Sequence, residues 1–305
     1  MGTTVENLES VFAAQGRKVV GAFCYWSLSN VCVARDEWRE TMDKLGLGRA
    51  VGRSPRPEAV LSDAVGLAKT GVKGVLMRRL DRYSWAVVEE VRTADDVLTH
   101  THVLTLSVPA SGGNMQTLAV VPVVGQAAED VAKKVAAGFD KIVANVLTAD
   151  LSTMLTTAMH GSTVRPMLGA ISLRDRTGGL YLLPSGSVAQ AKALAAAVNV
   201  LPGGSRVEVL TLYADQENLA AAAASAKASF TTQLNELREE LATFVEDIKA
   251  SGKEVNDRNT DVRLGRLNSL DARVDMWSDV LGDVRSELAA SIAAAKAEVV
   301  AAMAL

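Results

Sequence analysis

The densest grouping of chemistry-bearing residues is Arg174-Asp175-Arg176-Thr177-Gly178-Gly179-Leu180-Tyr181. Two arginines flank a Gly-Gly turn, a strand bearing Tyr181 follows, and Ser187 stands where a helix begins. Guanidinium forks and the N–H groups of a helix start hold phosphate or carboxylate. Arg174, Arg176, Gly178, Gly179 and Tyr181 therefore form the candidate ligand site. The plainer reading, a β-hairpin whose arginines are solvated, competes with it and is the expected one. His100 and His102 stand two apart, which puts both on one face of a strand. Imidazole suits zinc, yet the nearest carboxylates along the chain are Asp95 and Asp96, and the third histidine, His160, is remote. No metal and no cofactor is expected.

Other catalytic patterns are missing from the sequence. Ser27 and Ser29 sit in no GxSxG elbow, and Lys253 follows Ser251-Gly252 without the upstream glycine of a phosphate-binding loop. No GxGxxG, HExxH, EF-hand or zinc-finger spacing occurs. Glu89-Glu90 and Asp95-Asp96 are adjacent pairs, which a strand points to opposite faces, so they make poor acid/base partners. No catalytic residue is assigned.

The elements that must position these residues follow from periodicity. A helix is expected over 4–14 and a strand over Lys18–Trp26. An amphipathic helix runs from Asp36 to Leu45, with Trp38 and Met42 inward, and another from Pro57 to about Ala68, with proline in the first turn. Val72–Leu80, Tyr83–Val91, Val97–Val108 and Met115–Val124 read as strands joined by short turns, an antiparallel meander. Gln126–Leu147 is helical by pattern, and Asp150 caps a further helix ending at Gly161. Met167–Leu173, Leu180–Leu183, a helix from Ser187 to Asn199 and Val207–Tyr213 make a β-β-α-β unit. The mixed order argues an α+β fold, an antiparallel sheet with packed helices.

From Asp215 onward the pattern changes. Leu234, Leu237, Leu241, Phe244 and Ile248, then Leu267, Leu270, Val274, Trp277, Leu281, Val284 and Leu288, step by three and four. That is the spacing of a coiled-coil seam. Ala250-Ser251-Gly252-Lys253 supplies a helix stop, and Asn256 or Asp257 a new cap. The expected organisation is a mixed domain over 1–214 and a long antiparallel helical hairpin over 215–305. Such long helices exceed what one small domain can cover, so part of the seam is expected to meet another chain.

Charge and composition narrow the function. The chain has 305 residues, a net charge of −3 and a mean hydropathy of +0.15. Residues 1–92 carry +3, 93–232 carry −1 and 233–305 carry −5. The tail is therefore the wrong sign for a DNA-binding arm. Basic residues gather at Arg49, Arg53 and Arg56. No window reads as a membrane span or a secretory signal. Cys24 and Cys32 read as reduced core thiols, and a cytoplasmic setting is expected.

Tyr25-Trp26-Ser27-Leu28-Ser29, Arg35-Asp36-Glu37, Leu45-Gly46-Leu47, the Pro55/Pro57 loop and Arg176-Thr177-Gly178-Gly179-Leu180-Tyr181-Leu182-Leu183-Pro184 together carry a resemblance. They resemble an uncharacterised domain family from phage, plasmid and prokaryotic genomes, over about residues 18–215. The resemblance implies no activity; it implies a mobile-element setting and leaves the acidic tail outside its motifs. The expected function is a non-enzymatic, self-assembling or partner-binding cytoplasmic protein that uses the helical hairpin as its interaction surface, with itself or another protein as partner. The alternative is a nucleic-acid- or nucleotide-binding protein acting through the basic Gly-Gly turn.

Overall fold

A computed structural model describes residues 16–69, 74–92, 97–110, 113–119, 126–161, 165–173, 179–251 and 257–302. Its first elements are β1 (Val19–Ser27), β2 (Cys32–Ala34), α1 (Arg35–Lys44), α2 (Pro57–Ala68), β3 (Val75–Arg79), β4 (Ser84–Arg92), β5 (Leu98–Ser107) and β6 (Gln116–Ala119). Next come α3 (Gln126–Ala144), β7 (Asn145–Leu147), α4 (Thr148–His160), β8 (Ile171–Ser172), β9 (Leu180–Pro184), α5 (Val188–Asn199) and β10 (Arg206–Tyr213). The last are α6 (Gln216–Ser251), α7 (Asp257–Met276), α8 (Ser278–Leu281) and α9 (Val284–Ala302). The fold is α+β, and its sheets are antiparallel. The helix expected over 4–14 lies outside the described residues. Among those described, no helix is long and apolar enough to cross a membrane.

The chain divides into two compact units. One takes the chain up to Val31, Arg39–Val51 and everything from Thr148; the other takes Cys32–Trp38 and Gly52–Leu147. The division expected at 214/215 is not where they part. β10, just before that point, pairs with β1 over Val19–Ser27, and the helices just after it share a core with the same sheet.

In the second unit β3-β4-β5-β6 form the expected meander, with a register shift at Val87/Val88. Pro57 opens α2 with Arg56 extended before it, as its fixed φ favours. Val60, Leu61 and Val65 of α2 meet Val131, Val135 and Phe139 of α3, and with Val87, Leu104 and Leu106 they build one core. Gly138 faces Ala64, where an added Cβ would come to 3.6 Å, so small residues let the two helices approach. The helix expected to reach Leu147 stops at Ala144 instead. Arg35, itself buried, donates to the carbonyls of Ile142, Val143 and Asn145. A cation on the last carbonyls ends a helix favourably. Asn145–Leu147 then pairs with Cys32–Ala34 as a short strand. Cys32 is exposed, not a core thiol as expected, whereas Cys24 is buried and desolvation pushes its thiol up to about 12.

The first unit is built on a sheet of order β10-β1-β9-β8. Ser187 precedes α5 as expected but makes no side-chain cap bond; a 3-10 turn, Ser185–Ser187, leads into the helix instead. One sheet face, with Phe23, Ile171, Leu182 and Leu212, joins the core of the C-terminal helices.

The expected antiparallel hairpin is there in α6 and α7, and a third long helix, α9, joins it. α6 and α7 run antiparallel, as the ion pair Arg266–Glu240 and the bond from Arg273 to Gln233 require. The second arm then breaks: Trp277 caps α8, Gly282 takes a positive φ of 52°, and α9 returns. Lys296 meets Asp271 of α7, while Lys227 and Arg238 of α6 meet Glu287 and Glu298 of α9, so α9 runs parallel to α6. The result is an up-down-up bundle.

This changes what the seam does. Leu234, Leu241, Leu267, Leu270, Val274, Trp277, Leu281 and Leu288 are all buried within one chain. Leu237, Phe244 and Val284 are half-buried against the same core. Ile248 lies in α6 outside the residues whose side chains are described. The expected surplus of seam for another chain is therefore not found among the described side chains. The third helix supplies Ile292, Ala295 and Val299 as the missing partner surface.

Candidate functional site

Of the ligand residues expected from the sequence, Arg174, Arg176 and Gly178 lie outside the described residues. Gly179 precedes β9 with φ of +91°, a conformation suited to glycine. Tyr181 is 1% exposed, so it is a core residue and offers no face to a ligand. Its ring stacks on Trp26 at 5.0 Å between centroids and makes a T-shaped contact with His160 at 5.2 Å. On the meander, His100 faces Glu90 across the ladder, its Nδ1 3.7 Å from the carboxylate, and His102 bonds Leu104 O and Thr105 Oγ1. Among the described residues no three His, Cys, Asp or Glu side chains gather for a metal ion.

The aromatic stack leads instead to a site in the first unit that no local motif announced. His160 is the last residue of α4. Gly161 ends the helix with φ of +83°, and its N–H bonds Thr157 O at 2.7 Å. An added Cβ there would press on Arg165 O and come to 2.6 Å from Pro166 Cα. Segment 165–173 then covers the last turn of α4, Leu168 N–H donating to Ala158 O and Ala170 N–H to Met159 O. Gly161→Ala is expected to cost about 2–3 kcal/mol through the left-handed backbone and this clash. Urea unfolding checks it, and a loss under about 0.5 kcal/mol would show that the close approach is not needed.

Two successive carbonyls of that returning segment anchor the bundle. Gly169 O accepts from Trp277 Nε1 at 2.8 Å, and Ala170 O accepts from Arg273 Nη2 at 2.7 Å. Arg273 Nη1 donates to Gln233 Oε1 at 2.6 Å, and the guanidinium lies over the Phe230 ring at 5.5 Å. Its Nε is buried without a hydrogen-bond partner. The residue is 8% exposed, and no carboxylate among the described residues pairs with it.

His160, Gly161, Gln233, Glu236, Leu237, Glu240, Arg266, Ser269, Leu270 and Arg273 line an open cleft of about 380 Å³. Desolvation draws the Arg273 guanidinium down to about 10. Burial draws the imidazole of His160 down to about 4; the Arg273 charge adds to this, and a bond to the Ala170 backbone opposes it. At neutral pH the floor of the cleft therefore holds one cation beside a neutral imidazole. Glu240 is held by Arg266, whereas Glu236 has no ion-pair partner among the described residues.

A family model described as a family of unknown function, DUF6744, matches residues 19–304. The chain belongs to this family. The match extends the expected resemblance through the acidic helices, so the bundle is part of the DUF6744 domain, together with every cleft residue named above. No curated protein and no solved structure matches the chain.

Proposed function

We propose that this DUF6744 chain is a partner-binding protein whose cleft takes an oxyanion, a carboxylate or phosphate, on Arg273. One observation carries the reading: a guanidinium more than nine-tenths buried, without a carboxylate, on the wall of an open cleft. Desolvating a lone cation costs several kcal/mol. The carbonyls of Ala170 and Gln233 return part of that as neutral dipoles. A planar fork with donors to spare is suited to two parallel bonds to an oxyanion. The neutral His160 adds no competing charge, and Leu237 and Leu270 give the cleft an apolar wall. The heptad positions whose side chains are described pack inside the chain, so this reading moves the binding surface from the seam to the cleft.

Calorimetric titration of the whole chain with inorganic phosphate and with butanoate tests it. Saturable binding of at least one probe is expected. Arg273→Met is expected to weaken that binding about tenfold or more, and Arg273→Lys, which keeps the charge and loses the fork, to weaken it less. Absence of binding to the unaltered chain, or equal affinity in Arg273→Met, overturns the reading.

A further inference from the structure

The cleft is electrically two-ended. Gln233, Glu236, Leu237 and Glu240 stand at i, i+3, i+4 and i+7, one face of α6, and all four line it. Gln233 holds Arg273 at one end. Three residues further along, about 4.5 Å at the usual rise, comes Glu236. Its side chain is exposed and has no ion-pair partner among the described residues, while the next carboxylate, Glu240, is neutralised by Arg266. Leu237 of α6 and Leu270 of α7 supply apolar wall to the same cleft.

We infer that the ligand is a zwitterion: a carboxylate on Arg273, a short aliphatic segment along Leu237 and Leu270, and an ammonium on Glu236. The inference rests on the oxyanion reading above and adds the cationic end. A plain anion would leave the Glu236 carboxylate beside it, a like charge at the mouth of the cleft. An ammonium a few methylenes from the carboxylate turns that repulsion into an ion pair. Glu236 stands about 4.5 Å beyond Gln233, the residue that holds Arg273, along the α6 axis, a rise that three or four methylenes span at about 1.3 Å each.

Three probes of matched size separate the possibilities: butanoate, butylamine and 4-aminobutanoate, each titrated calorimetrically into the whole chain and into Glu236→Gln. 4-Aminobutanoate is expected to bind about fivefold more tightly than butanoate, the advantage of one partly exposed ion pair. Glu236→Gln is expected to bring the two within about twofold. Equal affinity for butanoate and 4-aminobutanoate in the unaltered chain overturns the zwitterion and leaves the oxyanion reading standing. So does binding of phosphate with neither carboxylate bound. If no anionic probe binds at all, both readings fall together.

Discussion

Trp277→Ala lowers the free energy of unfolding by about 4–5 kcal/mol, the largest effect expected of any single substitution in the bundle. The side chain is 0% exposed and stands where α7 ends and α8 begins. Its removal opens a cavity in the core shared by the sheet and the three helices. It also leaves Gly169 O, the acceptor of the indole N–H, without its partner. The two losses have different chemistry, and Trp277→Phe separates them. Phenylalanine keeps most of the volume and drops the hydrogen bond, so a cost of about 1–3 kcal/mol is expected, the price of a buried acceptor left unsatisfied. Urea unfolding followed by circular dichroism reads both. A loss below about 1 kcal/mol in Trp277→Ala would mean that the indole is not the joint between segment 165–173 and the bundle.

Acid is expected to weaken the same region through His160. In the unfolded chain this imidazole takes a proton near the ordinary value of 6.5, and in the folded chain only near 4. Between those values the unfolded state binds more protons, so stability falls as pH falls from about 6.5 to 4 and is fully present above that window. The shift corresponds to an upper figure of about 3 kcal/mol, at 1.4 kcal/mol per unit. Burial of the ring sets the sign, and its neighbours adjust it. Arg273 of α7 is a like charge, the ring of Tyr181 from β9 packs against the imidazole, and the Ala170 carbonyl favours the proton. Glu236, Glu240 and Arg266 line the same cleft. His160→Gln keeps a polar group beside Ala170 O and cannot take a proton. Its stability is expected to change less between pH 6.5 and 4 than that of the unaltered chain. Exposed carboxylates held low by their neighbours, Glu40 by Lys44 and Asp81 by backbone N–H groups, lose their contributions at lower pH in both proteins, so the difference isolates the imidazole. Identical pH slopes for the two would contradict the burial assigned to His160.

The parts of the fold that were legible are those whose signal is local. Thr99 to Val108 alternates, and β5 runs from Leu98 to Ser107 with antiparallel neighbours on both sides. Pro57 marks the start of α2 to the residue. Three-residue strands such as Cys32–Ala34 and Asn145–Leu147 carry no periodicity, and the helical pattern of α3 runs into the second without a break. The hairpin became a bundle because Leu281 and Val284, three apart, continue the heptad spacing across a turn. Gly282 was the stop signal, and the apolar period masked it. A heptad also gives the same spacing whether its partner is another chain or a third helix of the same one, so Ile292 and Val299 decide a question that Leu267 and Leu288 cannot. The unit boundaries were hidden for a similar reason. β1 pairs with β10 across roughly 180 residues of chain, Ser27 opposite Arg206 at the near end, and no composition shift records that.

The cleft was illegible in a stronger sense. His160, Gln233 and Arg273 come from three helices, and the carbonyl that joins two of them belongs to Ala170, whose side chain says nothing. Tyr181 was noticed for the wrong role: it sits at the foot of the site as a packed ring between Trp26 and His160. A lone arginine in an acidic helical stretch looks like one more surface charge. What marks Arg273 is its burial, and burial is a property of the folded chain.

The guanidinium itself gives the most direct test. In the whole chain labelled with nitrogen-15 arginine, the Arg273 Nε–H is buried, so its exchange with water is slow enough for a side-chain resonance, assigned by its disappearance in Arg273→Lys. During a butanoate or phosphate titration that resonance is expected to shift along a saturating curve while exposed arginines such as Arg53 move little. A resonance that stays still at saturating anion, with shifts confined to exposed arginines, would contradict an oxyanion site on Arg273.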